Sequence, residues 1–298
     1  MVGTLCLGEA LVDLVTEAPV GSLADARAFV PHAGGAVANV CVVAARHGAR
    51  VALAGGAGDD AWGRWLRNRL VAEGVDVCHF TLGQGRRTPV AFVTVDGAGE
   101  PSYEIYAEGL SDGLLTLQGS LDQAVDEADA LLLSSNSLVG EDERSLTMRA
   151  RELALAAGRP VLFDPNLRLG RWESPAPAIA ASMACVDGAL LVRCNRDEAR
   201  VLTGKPDPVR AAEALARAGA RLAVVTLGSE GAVLRGELSA DAAGVDAQVL
   251  STMGAGDTFM GVLLARLQAT GFYPAAAAAG LADAAREAAR ATERWGAT

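Results

Sequence analysis

The sequence contains few cysteines, and their arrangement predicts neither disulfides nor a zinc site. Five cysteines occur in 298 residues, an odd number, and no two of them form a C-x-x-C pair. They are Cys6, Cys41, Cys78, Cys185 and Cys194. A disulfide framework or a structural zinc site needs paired spacings. We therefore expect buried, reduced thiols and a cytoplasmic protein.

The sequence also lacks basic runs and long apolar runs. Its formal net charge is −10, which argues against nucleic acid or an anionic membrane as partner but allows a local cationic pocket for ATP. No uninterrupted apolar segment reaches about 18 residues, the length that a membrane span requires. The first five residues do not place a basic region before an apolar one. Neither a membrane span nor a leader peptide is predicted.

A dinucleotide-binding fingerprint is absent as well. The glycine-rich stretch 55–60 follows a predicted strand at 51–54 but lacks the G-x-G-x-x-G spacing, and no acidic residue ends a second strand about 20 residues further on. A nicotinamide-dependent dehydrogenase is therefore disfavoured. Asp59 and Asp60 are better interpreted as the start of an amphipathic helix that ends near Glu73.

The remaining pattern predicts an α/β fold in which a doubly wound, mostly parallel sheet is flanked by helices. A first strand is predicted at 4–8, with 8–15 continuing it at a sheet edge, and a helix follows from the glycines at 34–35 to near Gly48. Further strands are predicted at 130–134, 161–163, 189–192, 222–226 and 232–235. Further helices are predicted at 142–157, 196–202 and 208–218 and after residues 255 and 274.

Two consecutive strands, at 89–95 and 102–106, break this alternation because no helix separates them. We interpret them as part of a small β lid contributed by residues of about 14–31 and 87–112. The whole chain, 1–298, is expected to form one domain with this lid. The strand at 89–95 is also expected to expose a sheet edge that would permit a homodimer through the lid.

The most informative stretch is Gly254-Ala255-Gly256-Asp257, which precedes an apolar helix. Small residues let the backbone approach a ligand, and unpaired amides and the dipole at a helix start favour an anion such as phosphate. A carboxylate in such a turn repels the anion unless it has its own role, such as that of a general base. The alternative is that Asp257 merely caps the helix.

Other polar residues follow predicted strands or open predicted helices. Asn39 offers a donor and an acceptor that suit vicinal hydroxyl groups, although a solvated Asn is the simpler interpretation. Asp13 points inward from the edge element but could be a turn residue. Arg168, in Asp164-Pro165-Asn166-Leu167-Arg168, would bring a fork of donors to a sugar or a phosphoryl group, unless it forms a surface ion pair.

In this order along the chain, the motifs resemble the PfkB-type (ribokinase-like) carbohydrate kinase family, whose C-terminal signature commonly reads Asp-Thr-x-Gly-Ala-Gly-Asp. The resemblance implies that Asp257 is the catalytic base, that the amides of Gly254, Ala255 and Gly256 form an anion hole, and that Arg168 assists the transfer. It also implies several ligand-binding residues. For the sugar these are Asp13, Gly34, Gly35, Asn39, Tyr106, Arg168 and Asp257, and for ATP they are Asn195, Thr226, Gly228, Gly231, Gly254 and Gly256.

The resemblance further implies that Asn195 and Glu198 organise Mg²⁺ through water, which agrees with the reluctance of magnesium to lose its hydration shell. This sequence departs from the family pattern at four residues. Ser251 replaces the usual Asp, which makes a monovalent-cation site doubtful. Val37 and Cys41 alter the N-terminal signature, and Ala107 follows Tyr106 where many sugar and sugar-acid kinases carry Arg.

The function implied is transfer of the γ-phosphoryl group of ATP to a primary hydroxyl of a small sugar. The tract from Asp164 to Arg168, followed by Trp172, is similar to that of fructokinases and 2-keto-3-deoxygluconate kinases. Fructose is the favoured substrate because Ala107 removes one partner for a sugar acid. The alternatives are a 2-keto-3-deoxygluconate kinase and a non-catalytic sugar-binding relative.

Overall fold

The computed structural model describes residues 2–106 and 109–298. Its strands are β1 (Val2–Leu7), β2 (Leu11–Pro19), β3 (Val30–Gly34), β4 (Val51–Gly58), β5 (Phe80–Gly83), β6 (Val90–Val95), β7 (Pro101–Tyr106), β8 (Ala128–Ser134), β9 (Val161–Asp164), β10 (Leu191–Asn195), β11 (Leu222–Thr226), β12 (Gly231–Gly236) and β13 (Ala240–Ala243). Its α-helices are α1 (Ala36–Arg46), α2 (Ala61–Ala72), α3 (Leu121–Asp126), α4 (Glu141–Ala156), α5 (Pro175–Val186), α6 (Arg196–Thr203), α7 (Pro208–Arg217), α8 (Ala255–Ala269) and α9 (Pro274–Ala291).

Within these described ranges, nine strands form a large sheet in the order β13-β12-β11-β10-β9-β8-β1-β4-β5. All neighbouring pairs from β11 to β5 are parallel, and β12 and β13 join antiparallel at one edge. The central strands bury both faces, as in Leu131, Leu132 and Leu133 of β8. Apolar residues of α1, α8 and α9 pack on one face, and those of α4, α6 and α7 pack on the other. The predicted doubly wound sheet is confirmed.

A second, small sheet has the order β3-β2-β6-β7 within the described residues. It corrects two predictions. The chain leaves the large sheet after Leu7 and enters the small one at Leu11, so 8–15 is not an edge extension of the first strand. The bend follows from Glu9, whose carboxylate turns inward and accepts a hydrogen bond from the amide of Ala36. Strand β6 pairs on both sides, so the exposed edges are β3 and β7 and not 89–95.

Other differences arise where local patterns are short. Strand β4 continues to Gly58 because it pairs with β5, a short strand that the apolar pattern does not reveal. Helix α5 was also missed, although Ser174 followed by Pro175 is a typical helix start. Asp60 does cap α2, as predicted, because its side chain accepts a hydrogen bond from the amide of Gly63. Ala107 lies outside the described residues.

The small sheet packs over the segment that leads into α8. The amide of Thr252 donates to the carbonyl of Gly99 at 2.8 Å, and its hydroxyl donates to the carboxylate of Glu100 at 3.1 Å. Met253 joins an apolar cluster with residues of β2 and β6. The small sheet therefore lies against the N-terminal end of α8. In the part of the chain that the structure describes, no helix combines the length and hydropathy needed to cross a membrane.

Candidate active site

A cavity of about 490 Å³ lies between the small sheet and the carboxyl ends of strands in the large sheet. Ligands of open α/β sheets bind at this edge, and the volume suits a small molecule. The charged and amide side chains that line the cavity are Glu9, Asp13, Asn39, Glu100, Asn136, Asn166, Arg168, Arg193, Asn195, Glu198 and Asp257. Residues from both halves of the sequence thus meet in one place.

The N-terminus of α8 forms one wall of this cavity. Gly254 precedes the helix with φ 69° and ψ 0°, a left-handed conformation that favours glycine, and a β-carbon there would overlap Ala297. The first amides of a helix have no partner within the helix, which leaves those of Gly256 and Asp257 for a ligand. The amide of Ala255 donates to the carbonyl of Thr252 at 3.3 Å, so it is already engaged, though weakly.

Asp257 lies in the first turn of α8 and does not cap it. Its side chain is 7% exposed. One carboxylate oxygen accepts a hydrogen bond from the side-chain amide of Asn39 at 2.8 Å, and the other is 3.5 Å from that of Asn166. The N-cap position belongs to Gly254, so the capping interpretation does not account for this carboxylate. Asn39 comes from α1, which brings the N-terminal and C-terminal motifs into direct contact.

The electrostatics of the cavity tune this carboxylate. Burial raises the pKa of Asp257 to about 6, while the hydrogen bond from Asn39 and the charges of Arg193 and Arg168 act in the opposite direction. The group is therefore mainly ionised at neutral pH. Because its pKa lies closer to neutrality than that of an exposed Asp, it is a better proton acceptor, as a general base requires.

Asp13 and Arg168 lie on the side of the cavity covered by the small sheet. Burial and the nearby charge of Asp257 raise the pKa of Asp13 to about 7, which Arg168 opposes. A β-carbon at Gly34 would overlap the carboxyl group of Asp13, so glycine is needed there to admit the acid. The guanidinium of Arg168 lies over the ring of Tyr103, 5.2 Å from its centroid. Arg168 therefore faces the cavity, and among residues 2–106 and 109–298 it does not form the surface ion pair considered above.

Gly35 and Asn39 position the adjoining wall at the start of α1. Gly35 has φ 102°, and a β-carbon there would lie 2.9 Å from the backbone of Ala10. This close approach lets the chain pass from β3 into α1 beside the bend between β1 and β2. Gly35 and Asn39 both line the cavity.

The structure places Tyr106 outside this cavity. Its side chain is 59% exposed and packs edge-on against Phe92, on the face of the small sheet that is turned away from the site. Residues three apart on a strand point to opposite faces, so Tyr103 lines the cavity instead. This placement argues against Tyr106 as a sugar contact, which stays a prediction, and makes Tyr103 the candidate contact on this strand.

Two buried charged residues of the cavity were not identified from the sequence. Arg193, on β10, is 6% exposed, pairs with Asp164 at 3.2 Å and donates to the hydroxyl of Thr226 at 2.7 Å. Glu9 is buried and accepts hydrogen bonds from the Ala36 amide and the Asn136 side chain, both at 3.0 Å. The available signal was a charge inside or directly after an apolar strand, which is rare without a function.

Asn195 and Glu198 form a capping box at the start of α6. The Asn195 side chain accepts from the Glu198 amide, and Glu198 accepts from the Asn195 amide, both at 2.8 Å. The other oxygen of Glu198 accepts from the amide of Leu167 at 2.8 Å, which ties α6 to the loop that carries Arg168. Carboxylate and amide oxygens keep spare lone pairs, so these two side chains fit a hydrated Mg²⁺ held through water.

Thr226, Gly228 and Gly231 lie beside the cavity and do not line it. Thr226 pairs in register with Asn195, so the β11–β12 turn continues the rim of the site. Gly228 and Gly231 have φ 61° and 102°, and a β-carbon at Gly231 would overlap the carbonyl of Ala242. These glycines shape an open surface next to Asn195, where the nucleotide is expected.

The fold and the site define a class of protein, a carbohydrate kinase. The family model described as "pfkB family carbohydrate kinase" matches residues 3–292. The chain belongs to this family. Rice (Oryza sativa subsp. japonica) fructokinase-1 is 36% identical over 269 residues, which cover 87% of this chain and 81% of the rice protein. The predicted ribokinase-like fold and carbohydrate kinase class are thereby confirmed.

Solved structures agree with this assignment. Fructokinase from Vibrio cholerae O395, in a form with fructose, ADP and a calcium ion bound, is 31% identical and superposes with a TM-score of 0.86, covering 100% of this chain and 94% of that one. A double mutant of that enzyme, with fructose, ADP and a potassium ion bound, is 30% identical and also has a TM-score of 0.86, at the same coverage.

The positions of the two lid tyrosines lead to a prediction. Tyr103→Leu removes the ring beneath Arg168 and should raise the KM for the sugar about tenfold, equivalent to the roughly 1 to 2 kcal/mol of a desolvated cation–π contact. The matched variant Tyr106→Leu, on the opposite face of the same strand, should leave this KM nearly unchanged. Steady-state kinetics of both variants provide the measurement. A larger effect of Tyr106→Leu would contradict the assignment.

Proposed function

We propose that the protein is a fructokinase, which transfers the γ-phosphoryl group of ATP to a primary hydroxyl of fructose. The observation that carries the proposal is the buried Asp257 carboxylate, held by Asn39 at the N-terminus of α8 and facing the cavity. The curated relatives that the chain matches at 34 to 36% identity are fructokinases or probable fructokinases, which favours this sugar over others of the family.

The sugar lies between Asp13, Asn39 and Arg168, whose polar groups converge on the cavity from three separate elements. Such placement turns a bimolecular encounter into an oriented attack. Asp257 accepts the proton of the primary hydroxyl while the oxygen of that hydroxyl bonds to the γ-phosphorus. The bond from phosphorus to the bridging oxygen then breaks, and ADP leaves with that electron pair.

Backbone amides at the start of α8 stabilise the charge of the phosphoryl group during transfer. The amides of Gly254, Gly256 and Asp257 contribute to this together with the positive end of the helix dipole. Ala255 contributes less than the sequence suggested, because its amide already donates to Thr252. Arg168 adds a positive charge from the sugar side.

The nucleotide extends from this turn along Asn195 and past the glycines at 228 and 231. A bound Mg²⁺ neutralises phosphate charge, and Asn195 and Glu198 would hold it through water. The Vibrio fructokinase forms hold ADP with calcium or potassium. For this chain we propose ATP with Mg²⁺, because the two side chains present oxygen atoms that are already oriented by backbone amides.

We further propose that 1–298 acts as one kinase domain in which the small sheet serves as the lid. Closing this lid excludes water, which would otherwise compete with the sugar hydroxyl for the phosphoryl group. A homodimer would use an outer strand of the lid, β3 or β7, since β6 is paired on both sides. The free cysteines of the described chain suit a reducing cytosol.

The substrate assignment is tested by ADP release from Mg-ATP with fructose, 2-keto-3-deoxygluconate, ribose and adenosine. We expect fructose to give the highest kcat/KM. Higher turnover of 2-keto-3-deoxygluconate would favour the alternative kinase. Sugar binding without ADP release from any member of the panel would favour a non-catalytic relative and contradict the proposal.

The catalytic base is tested by Asp257→Asn, a substitution that keeps the size of the side chain. Turnover should fall by about 10²-fold or more because the general base is lost, while ATP affinity measured by calorimetry stays similar. In the wild type, kcat/KM should fall as the pH drops through about 7 and then about 6, since protonation of Asp13 weakens sugar binding and protonation of Asp257 disables the base. Wild-type turnover in the variant would refute this role.

Potassium dependence is tested at Ser251. This residue is fully buried, and its hydroxyl accepts a hydrogen bond from the Met253 amide at 3.3 Å, so it offers no carboxylate to a cation. Replacing sodium by potassium should therefore change turnover by less than about twofold, because hard cations prefer charged oxygen ligands. Ser251→Asp should introduce potassium activation. Strong activation of the wild-type enzyme by potassium would contradict this prediction and would show that backbone oxygens suffice to bind the cation.

A further inference from the structure

Arg193 occupies an unusual position for a charged residue. It lies on β10, a strand in the interior of the large sheet between β9 and β11, and its side chain is 6% exposed. The guanidinium lies against the backbone of Gly256, where a β-carbon would come within 2.8 Å of Cζ. The positive charge of Arg193 therefore lies directly behind the first turn of α8, and its side chain also lines the cavity.

Two contacts hold the guanidinium in this place. Nη1 pairs with a carboxylate oxygen of Asp164 at 3.2 Å, and Nη2 donates to the hydroxyl of Thr226 at 2.7 Å. Nε is buried and has no hydrogen-bond partner among the residues that the structure describes. The other oxygen of Asp164 accepts from the Asn166 amide at 3.2 Å, so the pair also fixes the turn that leads to Arg168.

A purely structural explanation of this pair is weak. Buried ion pairs contribute little net stability, because desolvation of both charges offsets their attraction. Arg193 also acts on the proposed base, since it is the largest charged influence that lowers the pKa of Asp257. The other charged or titratable groups that act on Asp257 or are affected by it are Glu9, Asp13, Tyr103, Asp164 and Arg168.

We propose that Arg193 is a positioning residue for phosphoryl transfer, which places a fixed positive charge behind the amides of the anion-binding turn and keeps the neighbouring Asp257 carboxylate ionised. This inference rests on the proposed function, since it assumes that Asp257 is the base. It assigns to Arg193 a role distinct from that of Arg168, which approaches from the sugar side over Tyr103. Arg193 acts through its contact with the backbone of Gly256 and through the electric field of its charge at Asp257.

The two members of the ion pair separate this role from a structural one. Arg193→Met and Asp164→Asn both break the same contact, so a structural role predicts similar effects. An electrostatic role predicts that only Arg193→Met raises the pKa of Asp257, because this variant removes a positive charge near it. Burial raises the pKa of Asp164 itself to about 7, so Asp164→Asn removes negative charge mainly above that pH and does not raise the pKa of Asp257.

The experiment is the pH dependence of kcat/KM for fructose, which reports groups of the free enzyme. In Arg193→Met the acid limb of the kcat/KM profile should move to higher pH by about one unit. The kcat at the pH optimum should fall about tenfold or more, because the charge that stabilises the transferred phosphoryl group is lost. In Asp164→Asn the limb should not move up. Arg193→Lys, which keeps the charge, should retain a limb near that of the wild type.

If Arg193→Met does not fold, the double variant Arg193→Met with Asp164→Asn removes both charges and avoids an unpaired buried acid. Its acid limb should lie above that of Asp164→Asn alone. The inference would be overturned if the double variant and Asp164→Asn alone had acid limbs at the same pH. It would also be overturned if the acid limbs of Arg193→Met and Asp164→Asn moved in the same direction. Asp257→Asn remains the separate test of the base, so a failure of the proposed function would be recognised independently.

Discussion

The structure depends on keeping one carboxylate ionised while it is buried at a helix start. Water normally stabilises such a charge, and the cavity replaces water by a side-chain amide from α1, the positive end of α8 and two arginines, one on β10 and one in the loop after β9. Each replacement requires close approach, which explains the glycines at 254 and 256. The same arrangement that stabilises Asp257 also attracts a phosphoryl group, so base and anion hole share one set of interactions.

The passage from β1 to β2 links the floor of the site to its cover. Three residues carry the chain out of the large sheet and into the small one, and Glu9 lies among them with its carboxylate turned toward α1 and Asn136. Asp13 follows on β2, and the floor, the cover and α1 are thus fixed to one another by a short stretch of sequence. Glycine at 34 and 35 completes this junction because side chains there would fill the space that Asp13 and the bend occupy.

The sequence allowed prediction of those features that are local. Asp257 and its glycines are read from one helix start, and the alternation of strands and helices gives the parallel sheet. Arg193 and Glu9 were missed because their importance depends on which distant element packs against them. The outward orientation of Tyr106 was not predicted, because the residue pattern of the lid strand does not alternate clearly enough to show which tyrosine faces inward. Strand β5 exists only through its pairing with β4, which no local signal encodes.

The hydrogen bonds between Thr252 and the hairpin turn at Gly99 and Glu100 have a kinetic consequence. In the proposed lid mechanism the hairpin moves away to admit the sugar, and each such bond opposes the movement by roughly 1 kcal/mol. Thr252 lies directly before the anion-binding turn, so the motion that admits or frees a ligand would also disturb the backbone at Gly254. Product release would therefore be coupled to disassembly of the phosphoryl site.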